Sequence, residues 1–550
     1  MIFSSTQPRL QSRYPARNAN LNQTSTDNSP IVPVALPIWD FLFDSEYSPL
    51  RRVHPTELGA FINAATHERI RYDEVKDHTI YLSTALVRNY GLEKGDTVAL
   101  FSPNTIWYPV AMLATVRVGG IVSGASPAYN IEEMTYALKT AKAKYLMTVP
   151  SSMEVAIPAA KNAGIPADRI FLLEGEDDGY MNVQELCDIG KSFGDDGQVA
   201  PFELADGETN RDVMIAHHNV IAQFTGLVHQ MHLPVHLNTQ VYMLPSFDMT
   251  SMLDTVVDNK ITELLLVPPI LIRLLQDPNA GKYDLSHVKA FTSGAAPIAE
   301  ELLQKLENRY PGTGFKQGYG MTESCSCITM HPPEKQSYQY AHRVGTIVAN
   351  TEVKIVDPET GRETGYNEPG EILARGPQIV MGYLDNEEAT RKTFDAEGWL
   401  HTGDIGFMDE EGFLTITDRI KEMIKVKGIG VSPAELEDLL LGRDDIEDAA
   451  VTAIPDDYSG ERPKAYVVLQ SRERDSLGSG FELVDVGRDI IEYVRAKKVR
   501  HKWIVEVEFV NEVPKSASGK ILRRVLRDME RKGSPGKRLV VRDERVKAKL

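Results

Sequence analysis

The sequence predicts an α/β protein: a large N-terminal domain with two doubly wound sheets and a small β-barrel-like subdomain, then a small α+β C-terminal domain. Three observations carry this. Short apolar runs alternate with helical patterns twice in the first 310 residues, a βαβα rhythm that buries a parallel sheet between helices. From Thr346 the runs shorten and turn residues separate them, as in antiparallel or barrel-like sheet. After Asp418-Arg419 the alternation of helix and strand returns.

Taken in order, Thr97 to Phe101 reads as a strand ending in the Ser102-Pro103-Asn104 turn. Trp107 to Val118 is an apolar helix stopped by Gly119-Gly120. Ile121 to Ser123 starts a strand, Ile131 to Ala141 is a helix and Lys144 to Val149 a strand. The pattern resumes with strands at Ile261 to Val267 and Val288 to Thr292 and a helix at Glu300 to Tyr310. Val353 to Asp357, Gly370 to Arg375 and Phe413 to Thr417 are the short strands, parted by turns such as Pro358-Glu359-Thr360-Gly361. The last part holds helices at Pro433 to Leu441 and Val486 to Ala496, and strands near Ala449 to Ala453 and Ala465 to Gln470. A boundary falls at Asp418 to Lys421. The expected units are a tail over 1–35, a large domain over 36–418, a small domain over 419–535 and a second tail over 536–550.

At roughly 150 residues per domain, 550 residues allow three or four lobes. Hydrophobic residues make up 42% and charged residues 25%, ordinary globular usage that permits a packed core. Lys and Arg number 60 against 78 Asp and Glu, a net charge of −18 that argues against wholesale nucleic-acid binding. Three cysteines make no disulfide framework. Cys325 and Cys327 form a CxC without a second ligand pair, so they read as small packed residues rather than a metal site. No apolar run spans a bilayer; Ile261 to Leu275 is interrupted by Glu263, two prolines and Arg273.

The ends suggest different addresses. Met1 to Pro30 is rich in Ser, Asn, Gln and Thr, with Arg9, Arg13 and Arg17 before the first acid, Asp27. It reads as a disordered tail or, more sharply, a mitochondrial transit peptide. Ala548-Lys549-Leu550 resembles the Ser-Lys-Leu address read by the peroxisomal import receptor. The expected location is the peroxisome, ahead of the cytoplasm and the mitochondrion.

Several segments carry chemistry. In Gly318-Tyr319-Gly320-Met321-Thr322-Glu323, read as a loop, glycines allow close backbone approach. Tyr319 offers a flat face, Thr322 a hydroxyl for phosphate and Glu323 a hard oxygen for Mg²⁺. Ser293-Gly294-Ala295-Ala296-Pro297 ends a strand and opens a helix, where α/β sheets bind nucleotides. Asp404, after the Gly403 turn, is able to hold the hydroxyls of a ribose; its bland role is turn capping. Arg419, Lys421, Lys425 and Lys427 concentrate cations, which otherwise form a solvated face. Pro514 to Lys520 presents a lysine from a Gly/Ser-rich stretch ahead of a helix with Arg523 and Arg524.

Each segment is weak alone. Together and in order, FSPNT, GASPAYN, ITELLLVPP, SGAAP, QGYGMTES, GWLHTGD, DRIKEMIKVKG and PKSASGKILRR make the chain resemble the adenylate-forming (ANL) superfamily. Within it the resemblance is to acyl-CoA ligases similar to 4-coumarate–CoA ligase, particularly fungal ones, from about Trp39 to about Asp528. It implies an acid–thiol ligase that uses ATP, Mg²⁺ and CoA on a small carboxylic acid. By that resemblance Ala295, Ala296, Gly318, Tyr319, Gly320 and Met321 border the nucleotide. Thr322 touches the α-phosphate, Glu323 holds Mg²⁺, and Asp404 and Arg419 hold the ribose. Lys520 covers the charge that develops during adenylation. Lys421 is the hinge of a mobile C-terminal domain that brings Lys425 and Gly428 in for the thioester step.

The chain departs from the family twice. A phosphate-wrapping loop and its strand are absent where Gly207 to Val213 runs into Met214 to Asn219. A strand and a His-bearing loop are absent where Ile221 to Gln223 meets Phe224 to Leu227. His217, His218, His229, His232 and His236 lie nearby, none in the matching context. Hydrogen bonds to charged groups contribute about 1.5–3 kcal/mol each, so losing several donors costs roughly 10⁴-fold in rate. The chain as written is expected to show feeble or absent ligase activity and impaired folding; the clean edges of both gaps fit misassigned splice junctions, with the expressed protein containing both segments. Two other readings remain: transfer of the acyl group to a carrier-protein thiol, and a nucleotide-binding protein without catalysis. The acid is not legible; an aromatic or medium-chain acid of secondary or peroxisomal metabolism is the analogy.

Overall fold

A computed structural model describes residues 23–24, 37–46, 48–203, 238–294, 298, 300–427, 429–456, 458–470, 480–515, 520–532 and 539–543. Ala295, Ala296, Gly428, the two junctions with their histidines, Ala548 to Leu550 and most of the N-terminal tail therefore lie outside the described residues.

The first sheet is parallel, in the order Ile121–Ala125, Thr97–Phe101, Ala143–Thr148, Ile170–Leu172. Alternation along its central strand explains the layers. Val98 and Leu100 join a core with Leu82, Val110 and Leu186, from helices Tyr72–Tyr90, Tyr108–Arg117 and Val183–Ser192. Ala99 and Phe101 face the other way, onto Met134 and Leu138 of Ile131–Thr140 and Ala156 and Ala159 of Met153–Ala163. Helices cover both faces, the doubly wound arrangement that the sequence predicts. Local signals set the ends. Asn130 and Glu133 form a reciprocal capping box, and Gly91, at φ 68°, ends the long helix in the left-handed region.

The second sheet has parallel strands Glu263–Leu265, Ala290–Ser293 and Gly314–Met321, extended antiparallel by Ser326–Met330 and Thr346–Ile347. Leu264, Phe291 and Phe315 pack on Leu253, Leu271 and Leu303 from helices Met249–Asp258, Pro268–Gln276 and Glu300–Arg309. The opposite face is polar. Lys316 ion-pairs with Glu263, which also accepts a hydrogen bond from Thr292 at 3.0 Å, while Leu265 on that face is 64% exposed. The described apolar core thus lies on one face of this sheet. The predicted strand from Ile261 to Val267 is only three residues long, because Pro268 begins a helix. No described helix is long and apolar enough to cross a membrane.

Strands Gln23–Thr24, Glu352–Val356, Gly370–Arg375, Leu400–Met408 and Leu414–Arg419 form an antiparallel sheet in that order. Among the described residues this is an open meander rather than a closed barrel, and two residues that the sequence assigns to the N-terminal tail supply one edge.

The C-terminal part is a sheet with helices on both faces. Val451, Ala465 and Val467 pack on Leu436, Leu440, Ile490 and Val494, from helices Pro433–Leu441 and Gly480–Lys497. Ala450, Tyr466 and Val468 pack on Leu526 of helix Arg523–Lys532. Val540–Arg542 pairs with Glu506–Phe509, so the sheet takes in residues that the sequence assigns to a tail after 535.

Candidate active site

Gly318 to Met321 is not the loop the sequence suggests. It is the end of the Gly314–Met321 strand, parallel to Ala290–Ser293 on one side and antiparallel to Ser326–Met330 on the other. Gly320 is required by close approach, whereas at Gly318 only the flexible end of Met330 would have to give. A Cβ on Gly320 would lie 1.6 Å from the Ser326 carbonyl oxygen, and one on Gly318 would lie 2.6 Å from Met330 Cε. The register slips between Tyr319 and Gly320, a bulge that re-aims the chain into a 3₁₀ turn at Thr322–Ser324. Cys325 ends that turn at φ 49°. Gly294, at the end of the neighbouring strand, would carry a Cβ 3.7 Å from the Gly318 carbonyl oxygen, so the two strand ends form one edge. Ser293 Oγ is buried there with no hydrogen-bond partner among the described residues.

Tyr319 reaches from this edge to the meander. Its hydroxyl donates to Asp404 Oδ2 at 2.8 Å, and Arg419 Nε lies 2.8 Å from Asp404 Oδ1. Asp404 and Arg419 are register partners on adjacent strands, and Gly403, at φ 69°, turns the chain just before the acid. Asp404 is 3% exposed. Burial raises its carboxyl, while Arg419 and then the Tyr319 hydroxyl pull it back. Burial, then the Asp404 charge, pushes the Tyr319 phenol well up, so it stays a donor. The result is a buried, paired acid with both oxygens contacted.

Glu323 stands on the turn beyond Tyr319. Tyr383 donates to its Oε1 at 2.6 Å, and the Val380 amide donates to its backbone carbonyl at 3.0 Å. The carboxylate and its main chain are thus both fixed by one segment. Burial pushes the Cys325 thiol up to about 12 and raises Cys327 too, so both are neutral, packed thiols.

Lys421, Lys425 and Lys520 belong to the small domain and its approach. Lys421 is exposed in the turn after Arg419, where the Ile420 amide donates to the Gly403 carbonyl at 2.8 Å. Lys425 is exposed on strand Ile424–Val426, which forms a hairpin with Ile429–Val431. Lys520 is exposed just before Ile521, which bridges to Lys515. Tyr319, Asp404 and Arg419 are therefore joined by direct bonds, and Gly318 to Glu323 form one continuous edge. The lysines stand on separate elements of the small domain.

Comparison with known proteins decides the family. The chain matches the AMP-binding enzyme family over residues 51–184 and 196–384, and the AMP-binding enzyme C-terminal domain over 435–520. It belongs to the adenylate-forming, AMP-binding enzymes. It is 34% identical to 4-coumarate–CoA ligase-like 1 of Arabidopsis thaliana, covering 86% of this chain and 91% of that protein. It is 32% identical to 4-coumarate–CoA ligase 1 of Petroselinum crispum, covering 90% and 94%. The fold matches an anthranilate–CoA ligase bound to anthranoyl-AMP, at a TM-score of 0.75 and 22% identity over 90% of this chain and 97% of that one. It also matches ATP-bound MatB of Rhodopseudomonas palustris, at a TM-score of 0.75 and 24% identity over 90% and 99%. The Arabidopsis alignment runs over 512 positions yet takes in only 86% of these 550 residues. That relative therefore carries residues with no counterpart here.

Sequence reasoning missed two groups. Tyr383 follows an unremarkable Met-Gly pair and gives no local signal. Glu437 did give one: helical spacing sets it between Leu436 and Leu440 on the buried side of its helix, a charge where none is expected.

Proposed function

We propose that the protein is an ATP-dependent acid–thiol ligase that activates a small carboxylic acid as its acyl-adenylate and transfers it to CoA. The Tyr319–Asp404–Arg419 chain beside the Glu323 turn, in a member of this family, carries the reading. The substrate carboxylate oxygen attacks the α-phosphorus of ATP and pyrophosphate leaves. The CoA sulfur then attacks the acyl carbon, its proton goes to solvent, and AMP leaves with the bonding pair.

Each residue has a task in this scheme. Tyr319 gives the adenine a face, and Asp404 with Arg419 binds the ribose hydroxyls. Ala295 and Ala296 border the same base. Thr322 contacts the α-phosphate. Lys520 meets the charge growing on the phosphate and carboxylate oxygens, where a preorganised cation is most effective. Lys421 is the hinge, and Lys425 with Gly428 serves the thioester step. Glu323 suits Mg²⁺: its carboxylate is held in place, and no cluster of three ligating side chains is found among the described residues. The Glu323 carboxylate would hold a magnesium ion that arrives with ATP, and the ion would offset the phosphate charge.

The relatives named as 4-coumarate–CoA ligases support an aromatic acid as the substrate class. A second reading, nucleotide binding without turnover, is favoured by the residues that the Arabidopsis relative has and this chain lacks. One assay separates the readings: pyrophosphate release across a panel of aromatic and medium-chain acids, with and without CoA. Acid-dependent release with thioester formation supports the ligase. Release without thioester points to another acceptor, such as a carrier-protein thiol. Nucleotide binding with no release supports the silent binder and overturns the ligase for this chain.

A further inference from the structure

Arg523 and Arg524 open the helix after Lys520, yet their surroundings differ. The Arg524 side chain is 91% exposed, whereas that of Arg523 is 11% exposed with all three of its nitrogens hydrogen-bonded. Arg523 Nε donates to Glu422 Oε2 at 2.8 Å. Its Nη2 donates to Glu437 Oε2 at 2.9 Å, and its Nη1 donates to Glu437 Oε1 and to the Val451 carbonyl at 3.0 Å. Glu437 is itself fixed, because its Oε1 also accepts the Val451 amide at 2.6 Å. This fork anchors the first turn of the helix to helix Pro433–Leu441 and strand Ile446–Asp456.

The Nε donor reaches a different element. Glu422 follows Lys421 directly, inside the turn that leaves Arg419. The Glu422 and Met423 amides both donate to the Arg419 carbonyl, at 3.0 and 3.1 Å, while the Arg419 side chain pairs with Asp404. One guanidinium therefore touches both the turn at Lys421 and the base of the segment that presents Lys520. A residue serving only cohesion would need Glu437 and the Val451 carbonyl; the Glu422 bond adds a link to the turn.

We propose that Arg523 is a positioning residue that, through Glu422, fixes the orientation of the Lys520 segment to the turn at Lys421. This rests on the reading above, in which the small domain swings at Lys421 and Lys520 serves adenylation. A lysine on a long, flexible stem reaches a developing charge only if its base is aimed, and an arginine fork holds direction as well as charge.

Glu422→Gln in the full chain tests this, because it spares the Glu437 fork and the fold it supports. Amide hydrogen exchange at Met423 is expected to rise about tenfold, with strands 446–456 and 460–469 unchanged. Adenylation should fall about tenfold with the KM for ATP within about twofold, and thioester formation from a supplied adenylate should hold within about twofold. Arg523→Lys, which keeps the charge and loses the fork, should reproduce the exchange change. Unchanged exchange at Met423, or a rise spread evenly over the whole domain, overturns the proposal. If the unmodified chain makes no adenylate, the functional reading fails, but the exchange measurement still decides the link between Arg523 and the turn.

Discussion

Asp404 is 3% exposed, with Tyr319 on one oxygen and Arg419 on the other, whereas Lys421, Lys425 and Lys520 stand exposed at the edges of the small domain. The trio, with buried Asp404 at its centre, is spread across two sheets, so strand packing and its direct bonds fix its geometry before any ligand arrives. The lysines sit on a turn, a hairpin and the approach to a helix. The contrast teaches a division of labour. In the proposed scheme, the site that holds adenosine through both half-reactions is the rigid one. In that scheme, groups needed in only one half-reaction are carried on the small domain.

The largest expected effect falls on the exchangeable side. Lys520→Ala should lower adenylate formation by about 10²–10³-fold, the usual cost of removing one charge-stabilising donor. Thioester formation from a supplied adenylate should stay within about threefold. Rapid-quench measurement of each half-reaction checks this, and equal loss in both would erase the contrast.

On the fixed side, both half-reactions should suffer together. Asp404→Asn keeps the shape but removes the charge that pairs with Arg419. Nucleotide affinity is expected to fall about 10–100-fold, from about 1.5–3 kcal/mol for a charged hydrogen bond. Calorimetry with ATP and with AMP should show the same loss for each. A loss confined to ATP would mean that the acid reads phosphate rather than ribose.

Much of this division was legible in the sequence, and the gaps have physical causes. Thr97–Phe101, Gly370–Arg375 and Pro433–Leu441 lie where local apolar patterning sets them. Gly318 to Met321 misled because two glycines signal a loop, while the strand partners that override the signal are distant in sequence or follow a bulge. The Tyr319–Asp404 bond joins residues 85 positions apart, and no periodicity announces such a pair. The second sheet also departs from the expected symmetry. Its polar face carries the Lys316–Glu263 pair and an exposed Leu265.

Where the two domains meet, the contrast becomes pH-dependent. Asp438, on helix Pro433–Leu441, faces Glu301 on helix Glu300–Arg309, with Glu437 and Glu435 beside it and Lys498 opposing them. Burial, and then Glu437 and Glu301, push its carboxyl up to about 7. A folded-state value above the unfolded one means that the folded form binds the proton more tightly. Stability is therefore lost as pH rises from about 4 to about 7 and levels off above. Asp438→Asn should remove that slope, gaining about 2–4 kcal/mol at pH 8 and little at pH 4. Denaturant melts across that range test it; a variant with an unchanged slope would show that this meeting of acids does not govern how the small domain sits.

The smallest effect tests how rigid the fixed side must be. Tyr383 touches nothing that reacts; it donates to Glu323 Oε1 at 2.6 Å while the neighbouring Val380 amide holds the Glu323 main chain. Tyr383→Phe keeps the ring and its packing against Phe394, and deletes only the hydroxyl. Glu323 then keeps its charge but loses one restraint, a change worth about 0.5–1.5 kcal/mol. The Mg²⁺ concentration needed for half-maximal ATP binding, read by calorimetry without acid or CoA, should rise about threefold to tenfold. Thermal stability should be nearly unchanged. If Glu323 were reached by metal only after the small domain closes, the variant would bind Mg·ATP as before and lose ground only in turnover, and the carboxylate would then belong with the moving half of the site.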